Sequence, residues 1–280
     1  KPELFTFLAD DGVTKLFGTL HKPTDFDPAK KYALVIDVYG GPFTQAIRNR
    51  RSPARPECEF GWIVAEIDNR GTINRGKTFE TATYLGLGGV DLRDQVQAVR
   101  ELVERPYIDA GRVGIHGHSY GGFMSALAIL KYPDVFQVAV ASSAVTDWRN
   151  YDSIYSERYM RTPQENAQGY DDGAAMTFAK QLQGKLLLIH GMMDDNVHPT
   201  NFWQLAEALN KANKPYDMFL LSGAGHSLGR ATMAQRIGYL QKHLVTDLPQ
   251  PLPAPPVEES PATLPVTTET AQGEHAQSDP

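Results

Sequence analysis

Gly117, His118, Ser119, Tyr120, Gly121 and Gly122 stand in a row between an apolar run, 112–115, and a helical run, 123–132, that Pro133 terminates. A serine on so tight a turn between strand and helix presents its Oγ clear of the backbone. The turn needs glycines beside the serine, because a Cβ there would strike the adjacent strand and helix. It also aims the Tyr120 N–H at the place where the oxyanion of an attacked carbonyl would form. This is the chemistry of acyl transfer. A serine hydroxyl is a poor nucleophile near neutral pH, so it requires a base, and the base requires an acid that sets its tautomer.

On such an elbow the acid and then the histidine follow the serine in chain order. The run 186–189 leads into His190, Gly191, Met192, Met193, Asp194, Asp195, Asn196, Val197 and His198, which puts an acid just past a strand end. Asp194 is the expected acid, with Asp195 its rival, since spacing cannot separate neighbours on a loop. The next strand, 216–221, empties into Ser222, Gly223, Ala224, Gly225, His226 and Ser227, small residues that let a loop carry an imidazole back over the sheet. His226 is the expected base. His198 competes, although Pro199 after it marks a helix start. His190 reads as hydrogen-bonded structure, and His116 and His118 as packing residues that project away from Ser119.

These loops need a frame. Runs 3–8 and 16–22, separated by Asp10, Asp11 and Gly12, predict a hairpin. Runs 33–38, 62–67, 112–115, 135–140 and 186–189 are apolar with almost no alternation, as parallel strands buried on both faces must be. Helical spacing relates Leu92, Val96, Val99 and Val103; Phe202, Leu205, Ala206 and Leu209; and Met233, Ile237, Leu240 and Leu244. The order predicts an α/β-hydrolase fold: a mostly parallel central sheet flanked by helices on both faces, with ligands at the carboxyl ends of the strands.

A chain of 280 residues suffices for one large α/β core, placed at 1–246. From 247 to 280 prolines recur among Ser, Thr and Glu without an aromatic residue, a composition that cannot bury a core and predicts a disordered tail. The net charge of −6 gives no electrostatic reason to expect nucleic acid. Arg48, Arg50, Arg51 and Arg55 read as a solvated or domain-facing surface, and Gly86, Gly88 and Gly89 lack a full dinucleotide fingerprint. The single cysteine, Cys58, excludes an intrachain disulfide, and no metal or cofactor is expected. No apolar stretch is long enough to span a bilayer, and Lys1 reads as a processed or excised start. The sequence contains no N-glycosylation sequon, which favours a bacterial source. The compartment stays open, with a periplasmic or secreted setting favoured over a cytoplasmic one.

Separated motifs carry a resemblance. Residues 1–246 resemble the catalytic domain of the prolyl oligopeptidase family, in its dipeptidyl peptidase IV branch. They do so through Asp37-Val38-Tyr39-Gly40-Gly41-Pro42, the elbow with Tyr120, the tyrosine-rich run from Tyr151 to Met160, and His190-Gly191 with Asp194, Asp195, Asn196 and Val197. The resemblance implies a post-proline serine peptidase acting on peptide substrates. It implies that Tyr39 donates its hydroxyl to the oxyanion beside the Tyr120 N–H. Val145, Trp148, Tyr151, Tyr155 and Val197 then form the pocket on the acyl side of the cut, and Asn196 hydrogen-bonds a substrate carbonyl. It further implies an N-terminal β-propeller in the parent protein, absent from these residues, and a possible homodimer. His118 stands where that branch often has Trp, and Ala224-Gly225 replace a more acidic approach to the histidine. An acylaminoacyl-peptidase-like enzyme, an esterase of the same fold and an inactive binding module are the alternative readings.

Overall fold

Runs of β-branched and leucine residues form the middle of a single sheet. The computed structural model describes residues 2–49 and 55–245, so the Pro-rich segment 247–280, the boundary at 246, and Arg50 and Arg51 of the basic run lie outside the described residues. Strands β1 (Glu3–Leu8), β2 (Lys15–His21), β3 (Tyr32–Asp37), β4 (Trp62–Asp68), β5 (Ile108–His118), β6 (Val138–Ser142), β7 (Lys185–Gly191) and β8 (Asp217–Leu221) lie in the order β1-β2-β4-β3-β5-β6-β7-β8. The β1–β2 and β2–β4 pairs are antiparallel, and β4 through β8 pair in parallel. The expected hairpin at 3–22 is therefore the antiparallel flank of a parallel sheet.

The α-helices among the described residues are α1 (Lys77–Glu80), α2 (Val90–Val103), α3 (Tyr120–Lys131), α4 (Ser153–Met160), α5 (Ala167–Gly173), α6 (Thr200–Lys211) and α7 (Ala231–Leu244), together with short 3₁₀ segments. Neighbouring residues on one strand feed opposite cores. Leu34 and Ile36 pack in the cluster that holds Leu92, Val96 and Val99 of α2 and Phe123 and Leu127 of α3. Ala33 and Val35 pack in the cluster that holds Tyr239, Leu240 and Leu244 of α7. Both faces are covered, which is why these strands carry no polar alternation. Truncating a fully buried leucine here, such as Leu34, would cost about 2–5 kcal/mol.

Two strand starts and one buried position differ from the sequence reading. The run 135–140 becomes a strand only at Val138, because the Tyr132 carbonyl accepts the N–H groups of Val135 and Phe136 at 3.0 and 3.1 Å and turns the chain after α3. Strand β5 starts at Ile108 rather than 112, since residues 109–112, Asp-Ala-Gly-Arg, are only partly buried or exposed and too polar to read as buried strand. In α7, Met233 is half exposed, and Tyr239 takes a place in the buried stripe instead. Helices α4 and α5 have no counterpart among the expected helical runs, since neither sequence carries a continuous apolar stripe.

Candidate active site

The elbow is built by close backbone approach. Ser119 lies between β5 and α3 at φ 59° and ψ −118°, a region an L-residue occupies only under strain. Its N–H donates to the Ser142 carbonyl of β6 at 2.9 Å, and its carbonyl accepts from Phe123 at 2.9 Å in the first turn of α3. A Cβ on Gly117 would overlap the backbone of Gly121, one on Gly121 the Val38 carbonyl, and one on Gly122 the Ser142 carbonyl. Only glycine fits at these positions, so the strain is held by three strands and a helix.

Two further strand ends bring the acid and the imidazole together. Asp194 follows β7 and His226 follows β8, and the two loops are joined where the Met193 N–H donates to the Ala224 carbonyl at 2.9 Å. His226 Nδ1 lies 2.8 Å from Asp194 Oδ2, while Asp194 Oδ1 accepts the N–H groups of Asn196 and Val197 at 3.0 and 2.9 Å. Burial alone would raise the Asp194 pKa, but these donors outweigh it and hold the carboxylate below its ordinary value. Asp195, the rival, is exposed. His198 turns to Thr200, with Nδ1 2.7 Å from Oγ1, at the start of α6. His190 sits behind the acid, its Nε2 2.8 Å from the Val197 carbonyl and 3.7 Å from Asp194. Among the described residues no hydrogen bond joins Ser119 Oγ to His226; the Tyr39 phenol lies beside the serine. Such contacts commonly tighten only with substrate.

His118 packs, and the residue it packs on is the expected base: its ring lies against the His226 ring, centroids 4.7 Å apart at 49°. Burial, with the neighbouring His226, pushes its pKa down to about 4, so at neutral pH it offers an uncharged face. His116 is a buried packing residue, with Nδ1 3.6 Å from Asp37 on the neighbouring strand.

Tyr39 leaves the end of β3 and is 44% exposed, its phenol beside Ser119 and its ring 6.0 Å from that of Tyr120. Burial raises its pKa, which keeps the hydroxyl protonated and able to donate. A wall of aromatics continues from there. Trp148 stacks on Tyr155 at 5.6 Å and meets Tyr151 edge-on at 5.8 Å, with Val145 and Val197 buried. The Tyr151 hydroxyl donates to Asn196 Oδ1 at 2.7 Å, which turns the Asn196 amide NH₂ free as a donor. The residues chosen from sequence thus share the carboxyl edge of one sheet.

The prolyl oligopeptidase family model matches residues 52–246. The chain belongs to the prolyl oligopeptidase family. Human dipeptidyl peptidase 8 is 39% identical to this family member over 257 residues, 87% of the chain and 28% of that protein. The crystal structure of Porphyromonas gingivalis dipeptidyl peptidase 4 superposes with a TM-score of 0.83 at 36% identity, covering 87% of this chain and 35% of that one. A Bacteroides ovatus protein described as a candidate dipeptidyl aminopeptidase IV gives 0.84 at 39% identity, covering 87% and 36%. The chain therefore spans about a third or less of the length of these relatives.

Sequence reasoning missed the supports of this prolyl oligopeptidase-family site. Asn69 Nδ2 donates to the Gly40 carbonyl at 2.9 Å, and Gln95 Nε2 in turn donates to Asn69 Oδ1 at 2.8 Å, so two fully buried amides hold the Tyr39 loop. Gly40 is at φ 72°, and a Cβ there would press to 2.7 Å on Asn69 Oδ1. A polar residue set among the apolar positions of a helix, as Gln95 is beside Leu92, Val96 and Val99 in α2, is the signal that points to such a support.

Proposed function

We propose that this chain is the catalytic domain of a serine peptidase that cleaves after proline or alanine, dipeptidyl peptidase-like in the parent protein. The observation that carries the reading is the 2.8 Å contact of Asp194 with His226 on the sheet edge that also presents the strained Ser119. Ser119 Oγ attacks the scissile carbonyl while His226 Nε2 takes its proton, and Asp194 holds Nδ1–H and stabilises the imidazolium. The Tyr120 N–H and the Tyr39 hydroxyl receive the oxyanion. His226 returns the proton to the leaving amine, and a water activated by His226 then releases the acyl group. A pyrrolidine ring suits the flat faces of Trp148, Tyr151 and Tyr155, with Val145 and Val197 closing the pocket and Asn196 donating to a substrate carbonyl. The dipeptide limit belongs to the parent protein, in which a further domain holds the substrate amine.

The test is labelling by a proline-type aryl phosphonate, wild type against Ser119→Ala, with turnover of a Gly-Pro amide and a short ester alongside. Stoichiometric labelling lost in the variant supports the nucleophile. Turnover of the short ester with none of the Gly-Pro amide would replace the peptidase reading with an esterase, and a folded chain that never labels would leave a binding module.

A further inference from the structure

Asp91 is buried in the first turn of α2, away from the reacting atoms, and its Oδ1 has no hydrogen-bond partner among the described residues. A carboxyl group so placed costs stability unless it does something for the fold or the site. Its other oxygen, Oδ2, accepts the Tyr120 phenol at 2.6 Å and the Gly88 N–H at 3.1 Å. Tyr120 is the residue directly after Ser119, so the same residue carries the ring that Asp91 holds and the N–H assigned to the oxyanion.

The ring stands at a junction. It lies 5.5 Å from Trp148 of the acyl pocket, 6.0 Å from Tyr39 and 5.2 Å from Phe123 of α3. It also fills the space beside Gly41, where a Cβ would come within 2.7 Å of it. Apolar packing alone leaves a ring free to slide along its neighbours; a short hydrogen bond to an immobile helix end does not. We propose, resting on the serine peptidase reading above, that Asp91 is a positioning residue of the oxyanion site, clamping the Tyr120 phenol and through it the Tyr120 N–H. Burial holds the Asp91 carboxyl above its ordinary pKa, and an Asn side chain, which keeps one acceptor oxygen, would preserve the contact.

The experiment measures the inactivation rate constant and the inhibition constant of the aryl phosphonate for wild type, Tyr120→Phe, Asp91→Asn, Asp91→Leu and the Tyr120→Phe/Asp91→Leu double variant. Losing an oxyanion donor outright costs about 10²–10³ in rate, so a donor retained but loosened should cost about tenfold. Tyr120→Phe and Asp91→Leu are each expected to slow inactivation about tenfold with the inhibition constant unchanged within about twofold. Asp91→Asn should stay within about threefold of wild type, and the double variant should be no slower than the singles, because both break one contact. Thermal melts check folding, and if Asp91→Leu does not fold, Tyr120→Phe, which loses only a hydroxyl, decides. A folded Tyr120→Phe that labels at the wild-type rate, or a change confined to the inhibition constant, overturns the clamp alone. A wild-type chain that does not label overturns the nucleophile assignment and the clamp with it.

Discussion

Replacing Asp194 with Asn tests the acid–base pair at the atom where it acts. Asp194 Oδ1 is committed to the N–H groups of Asn196 and Val197 at 3.0 and 2.9 Å. In Asp194→Asn the amide oxygen must take that place, because an NH₂ group there would face two donors. The NH₂ group then occupies the Oδ2 position, 2.8 Å from His226 Nδ1. Two donors cannot share that contact, so the imidazole proton moves to Nε2, and the nitrogen that should accept from Ser119 carries a hydrogen instead. The loss expected from a wrong tautomer is about 10⁴ in rate, or about 5.5 kcal/mol of transition-state stabilisation. Stability should fall by only about 1–2 kcal/mol, since both backbone contacts survive. The assay is the phosphonate inactivation rate at pH 7.5 with urea unfolding in parallel. A folded variant that reacts within about tenfold of wild type would refute the reasoning, and with it the role of Asp194.

Tyr39→Phe removes one oxyanion donor and is expected to lower kcat for a Gly-Pro amide by about 10²–10³ with little change in KM. Gly121→Ala places a Cβ inside the Val38 carbonyl and 3.1 Å from Tyr39 Cα, so a thermal melt should show about 3 kcal/mol lost and labelling of Ser119 should fail. His116 is pushed by burial from 6.5 down to about 4, so the unfolded chain takes up its proton at a higher pH than the folded chain. Stability from this group is therefore complete above about pH 7.5, falls as pH drops through 6.5, and levels below about 4, a loss of about 3 kcal/mol. Urea unfolding from pH 7.5 to 4 should show a shallower decline in His116→Gln than in wild type.

The elements most legible in the sequence are those whose cause is local. Runs 33–38 and 62–67 read as buried strands because all their side chains but Asp37 and Glu66 are apolar, and β3 and β4 lie there with residues shared between two cores. The elbow is legible because its glycines answer a steric demand that no other residue meets. Where a backbone turn or an N-cap, rather than the apolar pattern, sets the element, reading fails. The run 135–140 is apolar apart from Gln137, yet a turn anchored on the Tyr132 carbonyl claims its first residues. Helix α4 arises from an N-cap, with the Asp152 side chain accepting the Tyr155 N–H at 2.8 Å, rather than from an apolar stripe.

The same division runs through the site. Residue type and order alone determined a serine on an elbow with an acid and a histidine after it, because strand-end placement and turn sterics are properties of short segments. Spacing could not choose between Asp194 and Asp195; only the closed loops decided that Asp194 meets His226 while Asp195 faces solvent. Nor could it bring His118 onto the His226 ring, place Gln95 and Asn69 under the Tyr39 loop, or tie Asp91 to Tyr120 across 29 positions of chain. Those contacts join residues on different strands and helices, and their existence depends on the register and stacking of the whole sheet, which no single segment encodes.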